Sequence, residues 1–112
     1  MPPKHNPLKL NPLQLRTLTL FQAIAQIPGM SARAANGDVR IGVPNAHGDH
    51  FHLGDAVVSG KDATGLSNQA VWNALARKGL AKADYPHAIV LTPEGLAYET
   101  GLADEILHRS NH

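Results

Sequence analysis

Apolar residues recur at helical spacing between residues 13 and 27. Leu13, Leu18, Phe21 (or Leu20), Ile24 and Ile27 fall on one side of a 3.6-residue repeat. Asn11 stands where an N-cap belongs and Pro12 at the first helical position, where a missing N–H costs nothing; Pro28-Gly29 stops the run. The pattern predicts a helix over 12–27. The period then changes. Residues 29–37 are a loop of small residues. "VRIGV" alternates through Val39, Ile41 and Val43, and "HFHL" through Phe51 and Leu53, with the turn-rich "PNAHGD" between them. This alternation predicts a β-hairpin whose inner face carries those five residues. "SGKDATGL" reads as a turn with one helical turn in it.

"SNQAVWNALARKG" predicts a second helix, capped by Ser67 and ended by Gly79 at C′, with Arg77 and Lys78 near the negative end of its dipole. "LAKAD" and "HAIVL" flank Tyr85-Pro86 as a second short hairpin. Thr92, Pro93 and Glu94 repeat the pattern of cap, first-turn proline and early acid. They open a last helix that runs to about His108, with Leu96, Leu102 (or Ala103), Ile106 and Leu107 as its apolar side. Residues 1–10, with Pro2, Pro3 and Pro7, read as a loose N-terminal arm, which leaves residues 11–112 as one domain.

At 112 residues the chain suffices for one hydrophobic core. Aromatic rings are few, so that core is built from Leu, Ile, Val and Ala. The absence of cysteine excludes disulfides, thiolate metal sites and cysteine nucleophiles. No run has the length of a signal peptide or membrane span, and the expectation is a soluble cytoplasmic protein. A net charge of +1 argues against a generic polyanion binder. The charge is nevertheless uneven: Lys4, Lys9 and Arg16 at the start, mostly acids after Thr92, and Arg77, Lys78 and Lys82 clustered around the end of the second helix.

Taken in order, the elements are helix, loop, helix, strand, tight turn, strand, helix. "ALARKGL" leads into the hairpin and "LTPEG" leads out of it. This arrangement resembles the winged-helix domain of bacterial regulators of the MarR and PadR kind, most clearly over residues 65–101 and extending to the helix at 12–27. The resemblance implies an α+β fold, a winged helix-turn-helix with an extra β-hairpin inserted after the first helix. The second helix of that family is reduced here to something within residues 55–65. The resemblance further implies that residues 67–78 are the recognition helix, the second hairpin is the wing, and helix 93–108 makes a homodimer. It also implies double-stranded DNA as the partner, in transcription regulation.

On a helical projection Ala70, Val71, Ala74 and Leu75 share an inward face, and Gln69, Asn73 and Ala76 lie opposite, with Trp72 and Arg77 at the edges. Asn and Gln match the donor–acceptor edge of adenine, and cations hold phosphates. The DNA-binding candidates are therefore Ser67, Asn68, Gln69, Asn73 and Arg77, with Lys61, Lys78 and Lys82 on the backbone. A solvated helix face would carry the same amides. The alternative function is a winged-helix protein–protein interaction module, favoured by the near-neutral charge and the Tyr-Pro-His tip, with Trp72 and Tyr85 as anchors.

"HGDHFH" places His47, His50 and His52 at a workable metal-ligand spacing, but a histidine-rich polar face and loop is the better explanation, and no metal is expected. "GKDATGLS" lacks the Lys-Ser/Thr pair of a P-loop. No Ser/His/Asp order or carboxylate pair is set up for catalysis, so the chain is expected to be no enzyme and to need no cofactor.

Overall fold

The computed structural model describes residues 6–42, 50–54, 56–85 and 88–109. Helix α1 (Pro12–Ala25) starts as its sequence requires. The Asn11 side chain accepts the Gln14 N–H at 2.8 Å, and Gln14 Oε1 accepts the Asn11 N–H at 3.0 Å, which closes a capping box. The helix buries Leu18, Leu20, Phe21 and Ile24, and also Thr17 and Thr19. Each threonine hydroxyl donates to the carbonyl four residues back, Leu13 at 2.8 Å and Leu15 at 2.7 Å, so burial leaves neither without a partner.

The N-terminal arm expected through residue 10 is fixed from Asn6 onward. Asn6 brackets the Leu10 backbone through its amide, the Leu8 N–H donates to the Tyr98 hydroxyl at 3.2 Å, and Leu10 is only 4% exposed. Burial of Leu8 and Leu10 against the domain outweighs the disorder expected of a proline-rich start.

The alternating segments do not pair with each other as expected. Strand β1 (Ser31–Arg33) forms a hairpin with β2 (Val39–Ile41), and β3 (His50–Leu53) forms another with β4 (Ala56–Ser59). The loop predicted over 29–37 thus contains a 3₁₀ turn (Pro28–Met30), a strand, and a turn in which Gly37 takes φ +94°. Strands β5 (Ala81–Asp84) and β6 (Ala88–Leu91) form the hairpin that the sequence predicts. Strand β6 also pairs with β2, giving one sheet in the order β1-β2-β6-β5. A second sheet, β3-β4-β7, is completed by β7 (His108–Arg109). Both sheets are antiparallel, and the fold is α+β.

A 3₁₀ run, Gly60–Ser67, packs on α1 and leads into α2 (Gln69–Arg77). Gly65 meets Thr17 there: a Cβ at this position would lie 1.8 Å from the Thr17 hydroxyl oxygen, so the run can approach α1 only without a side chain. Because the run extends through Ser67, the cap of α2 moves one residue on. Asn68, not Ser67, has extended backbone and accepts the Ala70 N–H at 3.0 Å. The other end is as predicted. Gly79 has φ +77°, its N–H reaches the Ala76 carbonyl and the Leu80 N–H reaches that of Leu75, both at 3.1 Å, which is a Schellman cap.

The single helix expected over 93–108 is two short ones, α3 (Pro93–Ala97) and α4 (Ala103–Ile106). Thr92 caps α3 as predicted, accepting the Gly95 N–H at 3.1 Å. The helix then stops because α1 captures its end: Gln22 Nε2 donates to the carbonyls of Gly95 at 2.9 Å and Tyr98 at 2.8 Å. Tyr98 is extended, Gly101 takes φ +72°, and the Thr19 hydroxyl, whose own proton goes to Leu15, is hydrogen-bonded to the Thr100 hydroxyl in the core at 2.6 Å. No helix among the described residues is long and apolar enough to cross a membrane.

Candidate nucleic-acid interface

Helix α2 lies between α1 and strand β5, and its two faces differ sharply in exposure. Val71, Trp72, Ala74 and Leu75 are buried; Gln69, Ala70, Asn73 and Arg77 are exposed and Ala76 is half-buried. Relative to the helical projection, Ala70 and Trp72 exchange places. The reason is the indole, which sits edge-on to Phe21 (centroids 5.7 Å apart, 88° between planes) and to Tyr85 (4.8 Å, 84°). Burying so large a ring gains more than burying the Ala70 methyl, and the helix turns accordingly.

Trp72 is 1% exposed, so it offers a partner no surface, and its role as an exposed anchor is corrected. Tyr85 is likewise engaged within the fold: its ring packs on Trp72 and its hydroxyl donates to the Ser67 carbonyl at 2.7 Å. That bond ties the β5–β6 turn to the entry of α2.

The exposed residues Gln69, Asn73 and Arg77 are spaced by four and so form one ridge along α2. Asn68 is occupied in the helix cap and Ser67 is exposed just before it. The lysines are distributed differently from the expectation. Lys78 donates to the Leu8 carbonyl at 2.9 Å, pinning the N-terminal segment to the end of α2. Lys61, expected on the DNA backbone, lines a groove with Arg16, Asp62 and Glu105.

Lys82 pairs with Asp38 at 2.8 Å across the outer face of the larger sheet. On that face Arg40 and Lys82 flank Val90, each being its register partner on one side. Sequence reading passed over Arg40, although its polar position between buried Val39 and Ile41 is the available signal for an outward cation.

The Lys82 ammonium, which donates to Asp38, holds that carboxyl below its ordinary value of 3.8. Because the folded-state value is depressed, the pair contributes stability above the ordinary value, and the contribution is lost as pH falls through the folded one. Lys82 is 65% exposed, so the effect is screened and small. In thermal melts across pH, Asp38→Asn is expected to be less stable than the parent at neutral pH and to converge with it in acid. A constant gap at all pH values would show that the pair does not set it.

Of the histidine candidates, His47 lies outside the described residues; His50 and His52 are two apart on β3, where His52 is exposed. Among the described residues no three His, Asp or Glu side chains come together as a metal site. The dimer helix expected over 93–108 is the two short helices described above. No protein-family model, curated protein or solved structure matches this chain.

Proposed function

We propose that the chain is a winged-helix protein that binds double-stranded DNA and regulates transcription, with α2 in the major groove. The observation that carries this reading is the ridge Gln69, Asn73 and Arg77, exposed on a helix whose opposite face is locked into the core. The order of elements supports it: a helix, the β1–β2 hairpin, the 3₁₀ run in place of a second helix, then α2, the β5–β6 hairpin and α3, with β2 beside β6 in the sheet. The β3–β4 hairpin is the insertion.

In this reading Gln69 and Asn73 meet base edges, where an amide pairs with adenine, and Arg77 meets phosphate or guanine. Lys78 and Lys82 keep exposed ammonium groups near the backbone while holding Leu8 and Asp38. A homodimer through the 93–108 segment would set half-sites about one helical turn apart. The reading as a protein-interaction module loses its proposed anchors, since Trp72 is buried and Tyr85 is engaged internally.

The test is a fluorescence-anisotropy titration against random duplex and then selected sites, at two salt concentrations. Micromolar or tighter binding that falls steeply with salt is expected. Asn73→Ala should relax sequence preference, costing about 1–3 kcal/mol on the preferred site only. Arg77→Ala should weaken binding to every sequence and reduce the salt slope by about one if the contact is to phosphate. Unchanged binding in both variants rules out this docking, and no binding at low salt rules out the function.

A further inference from the structure

Every position of α2 that reaches the surface belongs to one narrow face. Gln69, Ala70, Asn73, Ala76 and Arg77 fall within roughly 120° of helical arc, with Asn73 near its middle. Ala70 and Ala76 flank Asn73, three residues before it and three after. Ala70 is on this face because the buried indole of Trp72 sets the rotation of the helix. Both flanking residues carry only a methyl group, so an opposing surface can close on the short Asn73 side chain.

The two amides of this face are also uncommitted. Asn6, Asn11, Gln14, Gln22 and Asn68 use theirs to hold backbone groups of the fold. The Gln69 and Asn73 amides make no hydrogen bond among the described residues. A free amide presents a donor beside an acceptor, which matches N6 and N7 of adenine in the major groove. An exposed methyl group matches the 5-methyl of thymine, the apolar group of that groove. The face has no carboxylate to accept from the cytosine amine, and its one cation, Arg77, lies at its far end.

We infer that α2 reads a half-site with A·T pairs at its centre, in which Asn73 binds an adenine and the Ala70 methyl packs on the 5-methyl of a thymine beside it. Gln69 and Arg77 lie about 6 Å to either side of Asn73 along the helix, a little under two base-pair steps each. A second adenine therefore belongs at the Gln69 end and a guanine at the Arg77 end. This inference rests on the DNA-binding reading above and adds to it the base content of the site.

Selection of duplexes from a random library by the full chain supplies the site, and A·T pairs are expected at its centre. Two base analogues in the selected duplex then separate the contacts. Uracil in place of thymine deletes only the 5-methyl and should weaken binding by about fourfold, the scale of one buried methyl group. 7-Deazaadenine in place of adenine deletes only the N7 acceptor and should weaken it by about tenfold. Ala70→Gly should abolish the uracil effect and keep the deazaadenine effect, and Asn73→Ala should do the reverse.

Asn73→Ala places the best helix former at an exposed position and should fold as the parent does. If Ala70→Gly does not fold, Ala70→Ser replaces the apolar methyl and gives the same readout. Duplex binding without A·T enrichment overturns the inference and leaves DNA binding standing. So does a selected site that tolerates either analogue, and so does an analogue effect that survives in its matching variant. No binding to any duplex at low salt overturns both readings together.

Discussion

Replacing Gly95 with alanine is expected to lower the melting temperature by about 12 °C, a loss of about 3 kcal/mol. In an ordinary helix the same change stabilises by roughly 0.5–1 kcal/mol, because glycine loses more backbone freedom on folding. Here the sign reverses. A Cβ on Gly95 would lie 1.9 Å from the Leu80 carbonyl oxygen, 2.9 Å from its carbon and 3.3 Å from its Cα. These are backbone atoms, so no rotamer relieves the clash.

Leu80 is also where three local bonds meet. Its N–H closes the cap of α2, its carbonyl accepts the Thr92 N–H at 3.1 Å, and the Thr92 hydroxyl donates to neighbouring Gly79 at 2.8 Å. Parting α3 from this turn strains all of them. Gly29→Ala is the control, since nothing lies within 4 Å of its added Cβ, and it should melt within about 2 °C of the parent. Circular dichroism melts decide the matter. A Gly95→Ala protein as stable as the control would mean that the two segments do not approach so closely.

That approach could not have been read from "LTPEG". The cap was legible there, because Thr92, Pro93 and their positions relative to Gly95 are local chemistry. The closeness of Leu80 was not. The same division runs through the fold. Helix α1, helix α2 with its glycine stop, and the β5–β6 hairpin each carry their signal within a few residues. Strand pairing does not: Val39 and Ile41 announce a strand, but their partners on one side are Leu91 and Ile89, some fifty residues on. Ser31–Arg33 has no alternation at all and is an edge strand held by β2. The last helix was overextended because Leu96, Leu102 and Ile106 keep an approximate helical spacing, whereas the force that breaks it is Gln22 on α1.

The candidate interface divides in the same way. Helical spacing alone places Gln69, Asn73 and Arg77 on one ridge, and the structure leaves them exposed. What occupies the cations depends on distant residues. Lys78 is held by a carbonyl 70 positions away and Lys82 by a carboxylate 44 positions away. Arg16 and Lys61 share a groove only because the 3₁₀ run packs on α1, which in turn requires Gly65. Trp72 marks the limit of a projection that treats every apolar residue alike, because the size of the indole decided the rotation of α2.

Trp72→Ala should therefore be among the most damaging single substitutions, costing roughly 3–5 kcal/mol, a large share of the about 5–15 kcal/mol that holds a domain together. The indole lies between α1, through Phe21, and the β5–β6 turn, through Tyr85. Removing it opens a cavity against both. One term opposes this: the indole Nε1 is buried with no hydrogen-bond partner among the described residues, a penalty of about 1–3 kcal/mol. Burial of the ring, worth roughly 4–5 kcal/mol at the usual area coefficient, still wins.

The opposing term makes Trp72→Phe informative. It gives up part of the ring but also the unpaired N–H, so it should cost only about 1–2 kcal/mol, less than its lost volume alone suggests. Urea denaturation of both variants tests the pair of numbers; an alanine variant within about 1 kcal/mol of the parent would show that the indole is not locked between these elements. The result also governs how binding data are read. If the proposed DNA binding holds, Trp72→Ala loses affinity through unfolding alone, whereas Trp72→Phe should keep the ridge of α2 in place and leave that affinity unchanged.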